Sequence, residues 1–89
     1  MNRSEILKVA DTLINGERAS VYGDARKNHE QIAKMWSALL GTEVSTEQVF
    51  MCLIAMKLSR LTSTPNHEDS WIDICGYAAL AGEDEEVEA

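Results

Sequence analysis

Residues 45–63 read STEQVFMCLIAMKLSRLTS and carry the most complete helix pattern in the chain. Ser45 and Gln48 have the spacing of a capping box, in which each side chain accepts a hydrogen bond from the backbone N–H of the other residue. Every residue from Val49 to Met56 is apolar, and on a helix such a run predicts burial nearly all round. We therefore predict that this is the central helix of the domain and that it ends before Pro65.

Three further amphipathic helices are indicated on the two sides of this segment. Ser4 is predicted to cap the first helix, and Asn15-Gly16 to end it. Residues 17–27 show no sustained period and predict a connecting loop, which returns into a second helix near Asp24. The other predicted bounds are Gly41 for the end of the second helix, Asn66 or His67 for the start of the fourth, and Gly82 for its end. The sequence thus predicts one compact all-α domain of four helices over residues 1–82.

The composition limits the classes of function. Five of the fifteen acidic residues lie in EDEEVEA, residues 83–89, which we predict to be a solvated, disordered tail. The remaining ten acids against eight bases leave no dense basic face, which argues against a nucleic-acid partner. No run of about 20 apolar residues is present to span a membrane, and MNRSEILK has charges where a signal peptide needs an apolar stretch. We therefore expect a cytoplasmic protein.

Charged residues interrupt the last two apolar segments. HEDSWIDICGYAAL, residues 67–80, places Asp69 and Asp73 one helical turn apart, where like charges repel each other. Lys57 has the spacing of the apolar stripe of the third helix, and Arg60 follows one turn later. In an antiparallel pair of helices these bases come beside the acids. The four groups predict either a structural ion-pair cluster or a site where carboxylates hold Mg²⁺ and bases hold a phosphate.

Other residues leave similar alternatives open. His29 lies on the apolar stripe of the second helix, where a satisfied core histidine is commoner than a catalyst, and Tyr22 belongs to a turn that could meet the same place. Gly76 inside a helix suggests close approach of a neighbouring helix or of a ligand. Trp36 and Trp71 are most simply core anchors, and the alternative is stacking on a nucleobase.

The order YGD, NHEQIAKMW, a capped apolar helix ending KLSRL, and HEDSWIDICGYAAL resembles small phage and prophage proteins of unknown function. These look related to the MazG-like all-α nucleoside triphosphate pyrophosphohydrolases. The resemblance covers roughly residues 18–82. In those enzymes an ExxE-type pair and a later ExxD-type pair hold Mg²⁺ at the triphosphate. Asp73 is similar to the aspartate of the second motif, with Asp69 one turn earlier, whereas the first motif is not recognisable here.

The resemblance implies a phage protein that acts on nucleotides in the host cytoplasm, on a MazG-like bundle completed by homo-oligomerisation. Mg²⁺ is the one cofactor implied, with a nucleotide or another small phosphate-bearing molecule as partner. The expected site residues are Asp69 and Asp73 for the metal, His29 and Glu30 for catalysis, and Tyr22, Lys57, Arg60, Trp71 and Tyr77 for the ligand. Whether such a site hydrolyses the nucleotide or only binds it stays open. The alternative is a non-catalytic oligomeric interaction module that binds a host protein, with the charged cluster purely structural.

Overall fold

A computed structural model of the chain describes residues 1–16 and 24–84. All regular secondary structure in these ranges is helical. The helices are α1 (Arg3–Asn15), α2 (Ala25–Leu40), α3 (Thr46–Ser63) and α4 (Glu68–Gly82). For the described residues, the prediction of an all-α architecture with four helices is confirmed.

The helix ends follow the local sequence. Ser45 caps α3: its Oγ accepts from the Gln48 N–H at 3.1 Å, and Gln48 Oε1 accepts from the Ser45 N–H at 2.8 Å. Asp24 caps α2 through the Arg26 N–H. Gly41 ends α2 in the left-handed region at φ +68°, which a residue without a Cβ adopts at little cost. These three boundaries confirm the predictions from the sequence.

The start of α1 corrects the prediction, because Asn2 and not Ser4 is its N-cap. Asn2 Oδ1 accepts from the Glu5 N–H at 2.9 Å, and Glu5 Oε1 accepts from the Asn2 N–H at 3.1 Å. A capping box needs a Glu or Gln three residues after the cap. Glu5 satisfies this spacing for Asn2, whereas the corresponding residue for Ser4 is the apolar Leu7.

The central helix is α4, which packs against α1, α2 and α3, whereas α3 packs mainly against α4 and α2. The prediction that α3 is buried nearly all round is therefore wrong. Val49 and Phe50 are fully buried, but Met51 and Met56 are 60% and 68% exposed. The side of α3 that carries Met51 has no helix of the described ranges packed against it.

The buried apolar side chains are few and come from all four helices: Ala10, Ala33, Val49, Phe50, Leu61, Ile72 and Leu80. Gly76 is buried where α4 crosses α1. A Cβ built on Gly76 would lie 3.2 Å from Ile14 Cγ2, closer than ordinary van der Waals contact. Of the two explanations for this glycine, close helix packing is confirmed.

The hairpin of α3 and α4 brings together polar and aromatic residues of the two helices. Lys57 meets Asp73, and Phe50, two turns earlier on α3, lies near Tyr77, one turn later on α4. Residue numbers thus fall along one helix as they rise along the other, so the two helices are antiparallel, which is the arrangement that brings bases of α3 beside acids of α4. None of the helices in the described ranges is long and apolar enough to cross a membrane.

Candidate functional site

The Lys57–Asp73 ion pair joins the inner faces of α3 and α4. Lys57 Nζ lies 2.9 Å from Asp73 Oδ2, and about a third of each side chain is exposed, 32% and 33%. The hydrogen bond from Lys57 to Asp73 raises the pKa of Lys57, and the charges of Asp73 and Tyr77 act in the same direction. Partial burial and the nearby Arg60 oppose this shift. The predicted pairing of a base on α3 with an acid on α4 is therefore confirmed for these two residues.

An aromatic group borders this pair, because Tyr77 lies one turn after Asp73 on α4. His29 stacks on Phe50 with ring centroids 4.6 Å apart, and it meets Tyr77 edge-on at 6.1 Å. His29 Nδ1 lies 2.6 Å from the Ala25 carbonyl oxygen, which can only accept, so Nδ1 carries the proton. In the neutral ring Nε2 is then the atom that can take up a proton.

Arg60 and Asp69 do not complete a cluster of four charged residues. Both are exposed, and neither forms an ion pair with any residue that the structure describes. The register of the two helices explains this. Asp69 lies one turn before Asp73 on α4. Because α3 runs antiparallel to α4, the residue of α3 at the level of Asp69 is the one that lies one turn after Lys57, which is Leu61. Arg60 precedes Leu61 and points about 100° away round the helix. The predicted four-residue cluster is thus a single pair.

Two other predicted site residues, Glu30 and Trp71, lie apart from the pair. Glu30 approaches Arg26 instead, with Oε1 3.8 Å from Arg26 Nε. Trp71 is 44% exposed and its indole N–H donates to the Pro65 carbonyl at 2.9 Å, so it is not a core anchor. Trp71 precedes Asp73 by two residues, which places it on nearly the opposite side of α4. Tyr22 lies outside the described residues.

The two predicted metal ligands stand alone as a carboxylate pair. Asp69 and Asp73 share one face of α4 at a spacing of one turn. Within residues 1–16 and 24–84, no three His, Cys, Asp or Glu side chains come together as a ready metal site. A divalent cation at this face would therefore take most of its ligands from water or from a bound phosphate, as Mg²⁺ commonly does.

Sequence reasoning missed a second polar cluster, around Arg26 on α2. The Arg26 side chain is only 8% exposed. Its Nη1 donates to the carbonyl oxygens of Leu80 and Ala81 at the end of α4, and its Nη2 lies 3.1 Å from Glu47 Oε1 on α3. Arg26 Nε is buried without a hydrogen-bond partner. One guanidinium thus ties together one end each of α2, α3 and α4.

The Arg26 cluster had a sequence signal, because Arg26 and the buried Ala33 are seven residues apart and so share a helix face. The cluster borders an open groove of about 460 Å³ between α2 and the start of α3. The charged residues that line the groove are Arg26, Glu30, Lys34, Glu43 and Glu47. The pKa of Glu47 is lowered, first by a hydrogen bond from its own backbone N–H and then by Arg26.

Comparison with known proteins identifies relatives of phage origin. A family model described as a domain of unknown function, DUF6378, matches residues 5–85. The Gene 55 protein of Mycobacterium phage L5 is 43% identical over 76 residues, which cover 84% of this chain and 49% of that protein. The Gene 55 protein of Mycobacterium phage D29 is 42% identical over 73 residues, which cover 82% and 48%. The chain spans about half the length of these relatives, and no solved structure matches it significantly.

Proposed function

The chain belongs to the DUF6378 family of small phage proteins, and on this premise we propose that it binds a nucleotide or a related phosphate-bearing ligand in the host cytoplasm. The observation that supports this best is the Lys57–Asp73 pair, which places a cation and a carboxylate 2.9 Å apart at a partly exposed edge of the α3–α4 hairpin. A buried structural pair would be closed to a ligand. This pair leaves about a third of each side chain open to solvent.

In the proposed complex the two charges exchange partners. Lys57, with Arg60 one turn further along α3, turns to phosphate oxygens. Asp73, with Asp69 on the same face of α4, holds a Mg²⁺ ion that the phosphates complete. The ligand thereby replaces one ion pair with two charge-assisted contacts, and the rigid helix pair keeps the groups in position. Tyr77 borders the pair. It is the aromatic residue of α4 nearest to the pair, and we expect it to contact the rest of the ligand.

We expect this site to bind the nucleotide with little or no hydrolysis. Two carboxylates can hold a substrate-dependent Mg²⁺ ion, but attack by water also needs a base. Glu30 faces Arg26, which leaves His29 Nε2 as the candidate among the predicted catalytic residues. The ring of His29 stacks on Phe50 and meets Tyr77 edge-on, and these contacts limit its access to a water molecule. Release of pyrophosphate from nucleoside triphosphates is therefore expected to be weak or absent.

A MazG-like arrangement of the helices, completed by self-association, is part of the same proposal. Asp69 and Asp73 lie on the last helix of the α3–α4 hairpin, and this position is consistent with the resemblance to the MazG-like enzymes. Among the described residues, ten large apolar side chains are at least 44% exposed, against seven apolar residues that are buried. Exposed apolar side chains that lie next to one another are typical of an interaction site. We therefore propose a homo-oligomer.

A thermal-shift titration tests whether the protein binds such a ligand. The wild type is melted with nucleoside triphosphates, diphosphates and inorganic phosphate, each with and without Mg²⁺. A ligand at 100 times its Kd stabilises the folded state by about 2.7 kcal/mol. We expect a Mg²⁺-enhanced increase in Tm that Lys57→Ala and Arg60→Ala abolish. Lys34→Ala, an exposed lysine on α2, is the matched control and retains the increase.

The outcomes separate the candidate functions. Absence of a shift with every ligand would contradict the proposal. Rapid Mg²⁺-dependent turnover that Asp73→Asn abolishes would show instead that the site is catalytic. The second candidate is the interaction module that binds a host protein, and the exposed apolar side chains favour it. It predicts no nucleotide-dependent shift, together with a host protein that co-purifies in a fixed ratio with the wild type but not with Met56→Glu.

A further inference from the structure

The carboxylate of Asp73 lies against the ammonium group of Lys57, at 2.9 Å. We propose that Asp73 is an internal competitor of the phosphate ligand, an autoinhibitory contact that has to leave Lys57 before the site can be filled. Asp73 leaves Lys57 when it gains a divalent cation as its new partner. This inference rests on the proposed function and names the regulation of the same site.

The ammonium group of Lys57 has Asp73 as its ion-pair partner, and no other acid in the described ranges lies within ion-pair distance of it. An ammonium group has three N–H donors, so this pair alone leaves two donors for a phosphate. Two acceptors on neighbouring donors of one ammonium group lie only about 5 Å apart, however, and two negative groups repel each other at that distance. The carboxylate and a phosphate therefore compete for Lys57 instead of sharing it.

The contact forms before any ligand arrives, because the fold brings its two groups together. Lys57 lies on the inner side of α3 and Asp73 on the facing side of α4, and each side chain is about two-thirds buried. The hydrogen bond to Asp73 raises the pKa of Lys57, so the pair favours the charged form of the lysine. Every phosphate that binds Lys57 has to displace this carboxylate first.

Asp69 provides the reference for this effect, since it carries the same charge on the same face of α4. It lies four residues before Asp73, about 6 Å along the helix axis. Asp69 is exposed and forms no ion pair with any residue that the structure describes. A general repulsion of anions would act through both carboxylates, whereas competition for Lys57 acts through Asp73 alone.

The two carboxylates also explain how the contact is released. Carboxylate oxygens are ligands that a divalent cation prefers, and such an ion supplies positive charge that a carboxylate and a phosphate share. Asp73 therefore exchanges Lys57 for the ion without becoming an unpaired charge, and Lys57 is left free for phosphate. The affinity for phosphate thus depends on the divalent cation through Asp73.

The exposure of the pair sets the expected size of the effect. A partly exposed ion pair contributes up to about 1 kcal/mol, which corresponds to roughly a fivefold change in an equilibrium constant. We therefore expect the Asp73 contact to weaken phosphate binding by up to about fivefold when no divalent cation is present. The matching variant is Asp73→Asn, which keeps the size of the side chain and removes its charge.

Isothermal titration calorimetry measures this effect with nucleoside triphosphates and with inorganic pyrophosphate, first in EDTA and then in Mg²⁺. In EDTA, Asp73→Asn is expected to bind about fivefold more tightly than the wild type, and Asp69→Asn to gain clearly less. Addition of Mg²⁺ should tighten binding to the wild type and have a smaller effect on Asp73→Asn. In a Lys57→Ala background, Asp73→Asn should restore no binding, because its effect acts through Lys57.

Chemical labelling of Lys57 tests the contact without a ligand. An amine reacts with an acylating reagent in its neutral form, and the pair with Asp73 keeps Lys57 protonated. Mass spectrometry should show faster labelling of Lys57 in Asp73→Asn than in the wild type or in Asp69→Asn. Lys34, exposed on α2, is the internal reference and should be labelled at one rate in all three proteins.

The results separate the regulation from the ligand site. Equal gains in EDTA for Asp73→Asn and Asp69→Asn, or no gain for Asp73→Asn, would overturn the competition and leave the ligand site standing. Unchanged labelling of Lys57 in Asp73→Asn would also overturn the competition, because the contact would then be absent in solution. Failure of every variant to bind either probe, with or without Mg²⁺, would overturn the proposed function and the competition with it.

Discussion

Replacing Arg26 with alanine should destabilise the domain more than any other single change to a charged residue on α2. The Arg26 guanidinium is the hydrogen-bond partner of two carbonyl oxygens at the end of α4, those of Leu80 and Ala81. The last carbonyl groups of a helix have no partner within the helix. In Arg26→Ala the Leu80 carbonyl, at a residue that is only 6% exposed, loses the donor that now satisfies it.

The magnitude follows from two terms. A buried acceptor left without its donor costs about 1–3 kcal/mol. A cation at a partly buried helix C-terminus contributes up to about 2 kcal/mol through the helix dipole. We expect Arg26→Ala to lower the free energy of unfolding by about 2–4 kcal/mol. At about 4–8 °C per kcal/mol for a domain of this size, Tm should fall by about 8–30 °C.

Urea and thermal unfolding followed by circular dichroism measure this loss. All variants are compared at one protein concentration, because self-association would contribute to the apparent stability. Lys34→Ala lines the same groove, is exposed, and should change the stability by no more than about 0.5 kcal/mol. Arg26→Lys keeps the charge but cannot reach all three acceptors, so it should fall between the two. A loss below about 1 kcal/mol for Arg26→Ala would refute the stabilising role proposed for the hydrogen bonds of Arg26.

Four further predictions concern the other contacts. Asp73→Ala should cost no more than about 1 kcal/mol in urea melts, because the pair with Lys57 is partly exposed, and a loss of several kcal/mol would contradict this. Stability should fall as the pH drops below 4.5, through the lowered pKa of Glu47, and Glu47→Gln should reduce that dependence. At the alkaline end, the contribution of Lys57 is complete below pH 10.5 and is lost as the pH rises through its raised pKa. Gly76→Val should cost about 1–3 kcal/mol by overpacking against α1, and Ile14→Ala in the same chain should recover part of it; simple additivity would show that the two sites do not touch.

The elements that sequence reasoning predicted well are those with a local cause. The start of α3 depends on Ser45 and Gln48, three residues apart, and the end of α2 depends on the single residue Gly41. The Lys57–Asp73 pair could be predicted for a similar reason. A lysine on an apolar stripe needs a partner of opposite charge, and the hairpin offers few. Each of these inferences used residues within one helix or across one short connection.

The errors arose where the cause is not local. The apolar run from Val49 to Met56 shows that a surface avoids water, but not whether the chain itself or another molecule covers it. Arg26 was missed because two of its three partners are backbone carbonyls more than 50 residues away, and no side-chain pattern marks a carbonyl. To predict that Arg60 and Asp69 do not join the Lys57–Asp73 pair, one must know the register of α3 and α4 to within one residue. The spacing of charges alone does not fix that register.

The position of α4 at the centre of the packing has a consequence for synthesis on the ribosome. The helix that the other three contact is the last of the four to be translated. The residues of α1, α2 and α3 are therefore all synthesised before the helix against which they pack. At about 5–20 residues per second, the 15 residues of α4 take roughly 1–3 s to be added. Phe50 therefore gains its neighbour Tyr77, and the domain gains the helix that the other three contact, only after this last segment has left the ribosome.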